Sequence, residues 1–205
     1  MEIGTTSNII GDKIIFTTVQ NDSDTENPLD WDGSGNIISF CRTHPNYKHP
    51  DEIEANPDSI KLSYYEHGSC IWFVQGLGEA GTDCRFDGVR TAGVWTPDDS
   101  IMEWIDKHGE PGSEKRIQYL TLVAAESCEN YSSWVNGECY YISMKVYELK
   151  TEDGHQFDEL SDYRFAEPLW DYSVGGLVGY EDLESEVDNV HRERMLALPE
   201  TAMEL

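Results

Sequence analysis

The chain has 205 residues, of which 40 are Asp or Glu and 14 are Lys or Arg, so its formal charge at pH 7 is −26. This balance disfavours direct binding to DNA, RNA or an anionic membrane, because phosphate contacts require Lys and Arg. Hydrophobic residues make up 39% of the chain and aromatic residues 11%, which argues against wholesale disorder. We therefore expect a folded protein whose partner presents a cationic surface.

Three features of the sequence predict a cytoplasmic location. No apolar run approaches the roughly 18 residues of a membrane span, and the opening segment MEIGTTSNIIGDK does not have the pattern of a signal peptide. The number of cysteines is odd, which favours free thiols in a reducing compartment. The five are Cys41, Cys70, Cys84, Cys128 and Cys139.

Short runs rich in Val, Ile, Tyr, Trp and Phe predict β-strands along the first three quarters of the chain. His67, Gly68 and Ser69 stand between two of these runs and predict a hairpin turn. The predicted strands are Lys13–Gln20, Asn36–Arg42, Ile60–Glu66, Ile71–Gln75, Val89–Trp95 and Cys139–Leu149.

Helix signals follow in chain order. Thr96 as N-cap, a proline at the next position and Gly109 beyond the end predict a short helix over Pro97–His108. A longer helix is predicted between Ser113 and Gly137, with its apolar stripe against the sheet. That stripe consists of Ile117, Leu120, Ala124, Cys128 and Tyr131.

The order of the elements indicates the fold class. A third helix is predicted over Tyr180–Leu196, and strands in a block followed by helices are typical of an α+β fold. We expect a mainly antiparallel sheet packed against two or three helices, in a single acidic domain spanning residues 1–205. Its acidic end, residues 197–205, is expected to be flexible.

Four segments resemble parts of small acidic proteins encoded by phages and mobile elements of actinobacteria. They are LSYYEHG (Leu62–Gly68), Trp72, AGVWTPDD (Ala92–Asp99) and GGLVGYEDLE (Gly175–Glu184). The resemblance covers about residues 37–186. It implies a phage origin, and it carries over neither an activity nor catalytic residues.

The negative charge is concentrated near the end of the chain, where residues 151–205 hold 15 acidic and three basic residues. A helix rises about 1.5 Å per residue, so a row of carboxylates on it approaches the charge density of duplex DNA, about one per 1.7 Å. The predicted phosphate-mimicking set in the last helix is Glu181, Asp182, Glu184, Glu186 and Asp188. We expect support from Asp153, Asp158, Glu159 and Asp162, and from Trp170 as an aromatic anchor ringed by carboxylates.

These features predict a non-enzymatic accessory protein of phage type that inhibits a host defence or DNA-processing protein by imitating DNA. An alternative is an ordinary accessory or structural interaction domain, in which the acidic surface serves only solubility or salt tolerance. Acidic residues in the first turns of a helix also suit its macrodipole without any partner.

A third interpretation is a small enzyme supported by zinc. Cys41 with His44, and His67 with Cys70, are two ligand pairs with a two-residue gap that together supply the four ligands of a structural zinc site. Against this, cysteine at a strand edge packs as a small hydrophobic residue. No other cofactor is indicated: the glycine spacing from Gly76 to Gly81 resembles a dinucleotide-binding loop, but no helix pattern follows it.

Overall fold

The computed structural model describes residues 2–77, 88–152 and 155–189. These residues form an α+β structure with antiparallel sheets, which confirms the predicted fold class. They group into two compact units: unit 1 comprises Met1–Thr25 and Gly137–Leu205, and unit 2 comprises Glu26–Asn136. No linker or repeat in the sequence indicates this division, and the single domain stays a prediction.

Ten strands and three α-helices lie in the described residues. The strands are β1 (Glu2–Ile10), β2 (Lys13–Asn21), β3 (Asn36–Ser39), β4 (Ile60–Glu66), β5 (Cys70–Val74), β6 (Gly88–Thr96), β7 (Cys139–Glu148), β8 (Thr151–Glu152), β9 (His155–Gln156) and β10 (Trp170–Val178). The helices are α1 (Asp99–His108), α2 (Glu114–Val135) and α3 (Gly179–Asn189).

Unit 1 is built on a four-stranded antiparallel sheet in the order β1-β2-β7-β10. Successive side chains of a strand point to opposite faces, so the pairing register sorts the core residues. The first face carries Ile14, Phe16 and Tyr147, against which the buried Tyr163 packs. The second face carries Ile15, Met144 and Val146.

The two edge strands of this sheet were not predicted from the sequence. β1 reads EIGTTSNII, in which Thr6, Ser7 and Asn8 are exposed and the sequence shows no apolar alternation. β10 contains a register shift between Val174 and Leu177, where the Asp22 carboxylate accepts a hydrogen bond from the Gly176 N–H at 2.8 Å. This interruption hides the strand pattern, because it breaks the two-residue period.

Unit 2 contains the second sheet, in the order β3-β6-β4-β5, with α2 packed against β5 and β4. The predicted strand Ile60–Glu66 and the hairpin that follows it are confirmed. Most of the predicted stripe of α2 is also confirmed as buried, namely Leu120, Ala124, Cys128 and Tyr131. The prediction is wrong for the first residue of the stripe, because Ile117 is 52% exposed.

Arg116, and not the neighbouring Ile117, points inward at the start of the stripe, and Arg116 is 2% exposed. Its Nε and Nη2 donate to the two carboxylate oxygens of Asp58 at 2.8 and 2.6 Å. Nη1 donates to Asp106 at 2.7 Å and to the carbonyl of Gly109 at 3.2 Å. The guanidinium therefore joins α1, α2 and the loop before β4.

The first helix begins two residues later than predicted, because Asp98 is the N-cap in place of Thr96. One oxygen of its carboxylate accepts from the Ile101 N–H at 2.9 Å, and the other accepts from the N–H groups of Gly33 and Gly35 at 2.9 and 3.0 Å. A carboxylate that serves both a helix start and a distant loop leaves no local trace in the sequence.

Some predictions fall on residues outside those described. These are the remainder of the third helix at residues 190–196, the flexible end at residues 197–205, residues 78–81 of the glycine loop, and Asp153. Among the residues that are described, no helix combines the length and apolar character needed to span a membrane.

We predict that Arg116→Met lowers the free energy of unfolding of unit 2 by about 3–5 kcal/mol. The substitution leaves the Asp58 side chain, which is 12% exposed, without its cation. Urea unfolding followed by tryptophan fluorescence measures this, because five of the six tryptophans lie in Glu26–Asn136. Asp106→Asn is the control, since that side chain is 61% exposed and its ion pair contributes about 1 kcal/mol or less.

Asp58 also gives a pH-dependent prediction. The hydrogen bonds from Arg116 lower the pKa of Asp58, so its stabilising contribution is present above the unfolded pKa near 4 and is lost as the pH falls through the folded pKa. We expect the stability difference between the natural protein and Asp58→Asn to shrink as the pH is lowered below about 4. A difference that stays constant over this range would contradict the prediction.

Candidate functional site

Helix α3 carries the five predicted phosphate-mimicking carboxylates, and the structure sorts them by direction. At about 100° per residue, Glu181, Glu184 and Asp188 fall within an arc of about 60°, and all three are exposed. Leu183 and Val187 point away from this arc, at about 130° and about 90° from its centre, and are half-buried. We call Glu181, Glu184 and Asp188 the acidic stripe.

The other two carboxylates of the helix, the exposed Asp182 and the half-buried Glu186, accept hydrogen bonds from within unit 1. The N–H of Val178 donates to Asp182 at 3.3 Å, which satisfies a backbone donor at the start of the helix. The hydroxyl of Tyr172 donates to Glu186 at 2.7 Å. Both carboxylates therefore position α3 on β10. The sequence predicted phosphate mimicry for them and did not indicate this positioning role.

The second predicted acidic group surrounds a 3-10 turn at Leu160–Tyr163. Its members Asp158, Glu159 and Asp162 are exposed. The turn is fixed by the buried Tyr163, whose hydroxyl donates to the carbonyl of Phe157 at 3.0 Å.

The turn and the acidic stripe belong to opposite faces of the unit 1 sheet. Tyr163 packs on the first face, whereas Tyr172, which bonds α3, pairs with Met144 of the second face. The two predicted acidic groups consequently do not form one continuous surface.

Basic residues lie beside the carboxylates of the turn. Asp158 and Glu159 border a cavity of about 680 Å³ that Lys145 and Arg164 also border. Opposite charges in one cavity offset each other, so this region imitates a phosphate backbone less well than the acidic stripe does.

Trp170, the predicted aromatic anchor, begins β10. It is half-buried and packs against the Ile15, Met144 and Val146 cluster. Its ring lies nearly parallel to that of Tyr172, with centroids 6.1 Å apart. Its role in partner binding stays a prediction.

The four candidate zinc ligands do not come together. Within residues 2–77, 88–152 and 155–189, no group of three or more His, Cys, Asp or Glu side chains is arranged to hold a metal ion. Cys41 is exposed with its sulfur 3.1 Å from the Thr43 hydroxyl, and His44 Nδ1 is 2.9 Å from the Ser39 hydroxyl. His67 lies in the turn between β4 and β5.

His44 and Cys70 nevertheless border one cavity in unit 2, together with several aromatic rings. The geometry gives no support to a zinc site formed by Cys41, His44, His67 and Cys70. The spacing of Cys41 with His44 and of His67 with Cys70 indicates only possible metal ligands. The cavity is bordered mainly by aromatic residues, so this spacing did not reveal it.

Comparison of the chain with protein-family models, with curated proteins and with solved structures found no match. The functional argument therefore depends on the geometry and charge of the described residues.

We predict that Asp182→Ala speeds amide hydrogen exchange in α3 about fivefold, since it removes the acceptor of the Val178 N–H at the helix start, a contribution of about 1 kcal/mol. Glu184→Ala on the same helix is the control. This substitution removes the repulsion of Glu184 with Glu181 and Asp188, and alanine has the higher helix propensity. Amide exchange in α3 therefore stays equal or slows. Hydrogen exchange with mass spectrometry over residues 179–189 checks both, and equal acceleration in the two variants would contradict the assignment.

Proposed function

We propose that this protein is a non-enzymatic acidic inhibitor of phage type, which occupies the nucleic-acid groove of a host defence or DNA-processing protein. The observation that carries the proposal is the acidic stripe, Glu181, Glu184 and Asp188, exposed on a helix that contains no Lys or Arg from Gly179 to Asn189. In this proposal the protein acts in the host cytoplasm and does not bind nucleic acid itself.

The spacing of the stripe supports the imitation of a phosphate backbone. From Glu181 to Asp188 the helix rises about 10.5 Å, so the three carboxylates are spaced about 4.5–6 Å apart along the axis. One strand of duplex DNA carries a charge about every 3.4 Å. The axial charge spacing of the stripe is therefore within a factor of two of that of one strand of the backbone.

The unbound helix has an energetic reason to accept a cationic partner. Glu181 with Glu184, and Glu184 with Asp188, are like-charge neighbours, and each such pair costs about 0.2–0.5 kcal/mol in an isolated helix. Lys or Arg side chains of a partner relieve this repulsion. The net charge of −26 adds long-range attraction, which speeds association at low salt.

A capture experiment tests the proposal directly. The tagged protein is incubated with host lysate at about 0.1 M and about 1 M salt, which shortens the screening length from about 10 Å to about 3 Å. We expect capture of a DNA- or RNA-binding protein at low salt, released both by high salt and by added duplex. Capture that is insensitive to salt, of a partner without a nucleic-acid site, would instead support the ordinary accessory domain.

The stripe itself is tested by a pair of matched variants. We predict that Glu181→Gln with Glu184→Gln lowers affinity for the captured partner several-fold at about 0.1 M salt, mainly through a slower association rate. Asp182 and Glu186 are left unchanged, because both hold α3 in place. Surface plasmon resonance over a salt series measures the rates.

The control is Glu126→Gln with Glu129→Gln, which removes two exposed carboxylates at the same three-residue spacing from α2. Both double variants lose the same charge, so they separate a local contact from the overall field. Equal losses in the two variants would contradict a binding role for the stripe and leave only nonspecific attraction.

A further inference from the structure

A cavity of about 460 Å³ opens in unit 2 between the β4–β5 hairpin, the loop after β3 and the last turns of α2. This volume is within the range of small-molecule sites, about 300–1,000 Å³. Five of the residues that border it carry aromatic rings: His44, Tyr64, Trp72, Tyr131 and Trp134.

The rings on one side of the cavity are held at steep angles to one another. The His44 ring stands at 66° to Tyr64 and at 71° to Trp72, with centroids 4.6 and 5.5 Å apart. Tyr64 and Trp72 are inclined by 48° with centroids 4.8 Å apart. These three rings pack against one another, and together with Tyr131 and Trp134 they line the cavity. Aromatic rings lining a cavity are the kind of surface that attracts organic cations.

Hydrogen bonds from α2 fix this wall against the helix. The Ser132 hydroxyl accepts a hydrogen bond from the backbone N–H of Trp72 at 2.8 Å. The side-chain amide of Asn136 accepts from the backbone N–H of Cys70 at 2.8 Å and donates to the Cys70 carbonyl at 2.9 Å. Tyr131 and Trp134 come from the same helix turns. The rings are thus positioned before any ligand arrives, which limits the ordering cost of binding.

The cavity has the electrostatics of a cation site. Among the residues that the structure describes, no Lys or Arg borders it, and Glu66 places a carboxylate there. Burial lowers the pKa of His44, and this effect exceeds the opposing attraction of Glu66, so the neutral form of the ring is favoured. Burial together with the neighbouring Cys70 and Glu66 raises the pKa of Tyr64, which keeps its hydroxyl protonated to donate to Glu66 at 3.1 Å.

We propose that this cavity binds a methylated ammonium group, with the aromatic rings contacting the methyl groups and Glu66 supplying the counter-charge. A methylated ammonium group is weakly hydrated and does not need a full set of hydrogen-bond acceptors, which the ring-lined wall does not offer. It interacts well with the π faces of the rings and with one carboxylate. The site lies wholly in unit 2, so it is independent of the acidic stripe and of the inhibitor function.

The first test is an NMR titration of the intact protein with choline and with 3,3-dimethylbutan-1-ol, the neutral isostere that has carbon in place of nitrogen. We expect saturable shifts of the indole N–H signals of Trp72 and Trp134, with choline binding about tenfold tighter than the isostere. Trp104 does not border the cavity and serves as the internal reference. Equal binding of the two ligands, or no saturable shift with choline, would overturn the proposal.

The second test removes the counter-charge. Glu66→Gln keeps an acceptor for the Tyr64 hydroxyl, and we expect it to weaken choline binding about three- to tenfold. Glu52→Gln is the matched control, because Glu52 is exposed in the same unit and does not border the cavity. Equal weakening in both variants would show a general charge effect and would overturn the assignment of Glu66.

A third measurement distinguishes the sources of the methylated ammonium group. A peptide with one trimethyllysine and the same peptide with unmodified lysine are compared with choline by calorimetry. Tighter binding of the trimethyllysine peptide indicates a modified protein as the ligand, and tighter binding of choline indicates a free metabolite. Preference for unmodified lysine over both methylated ligands would overturn the proposal, because a strongly hydrated ammonium needs hydrogen-bond acceptors more than rings.

Discussion

The guanidinium of Arg116 lies inside unit 2 with its two edges occupied by the carboxylates of Asp58 and Asp106. Burial of a charge is costly unless it is paired, so the positions of these three side chains are tightly coupled. The pairing fixes the start of α2 relative to α1 and to the loop before β4. At the other end of the same helix, Ser132 and Asn136 bond β5, and Tyr131 and Trp134 border the aromatic cavity. The same helix therefore carries the ion pairs at its start and part of the cavity wall about four turns away.

The sequence predicted the elements whose signals are local. The stripe of α2 repeats at three- and four-residue steps, and β4 with its hairpin is a run of β-forming residues followed by a glycine turn. The inward Arg116 escaped prediction because periodicity treats a charged residue as outward, and the apolar Ile117 beside it fits the period equally well. Only the carboxylates of Asp58 and Asp106, distant in sequence, decide between the two residues.

The carboxylates of helix α3 show a similar limit of prediction from the sequence. Spacing alone identified five carboxylates on α3, but it gave them equivalent roles. The strand β10, which the sequence did not reveal, supplies the partners that divide them: Val178 and Tyr172 hold Asp182 and Glu186, and the remaining carboxylates form the exposed stripe. A site residue is thus predictable from sequence only as far as the element beside it is.

The two proposed sites select cations by different physics. The acidic stripe offers carboxylates in water, where screening by salt weakens attraction and the partner must match several charges at once. The aromatic cavity of unit 2 offers ring faces in a partly desolvated space, where attraction to a cation is short-ranged and less sensitive to salt. One chain with an excess of 26 negative charges therefore needs no basic residue at either site. Because salt affects the two interactions unequally, a salt series distinguishes binding of a small cation at the cavity from binding of a charged partner at the acidic stripe.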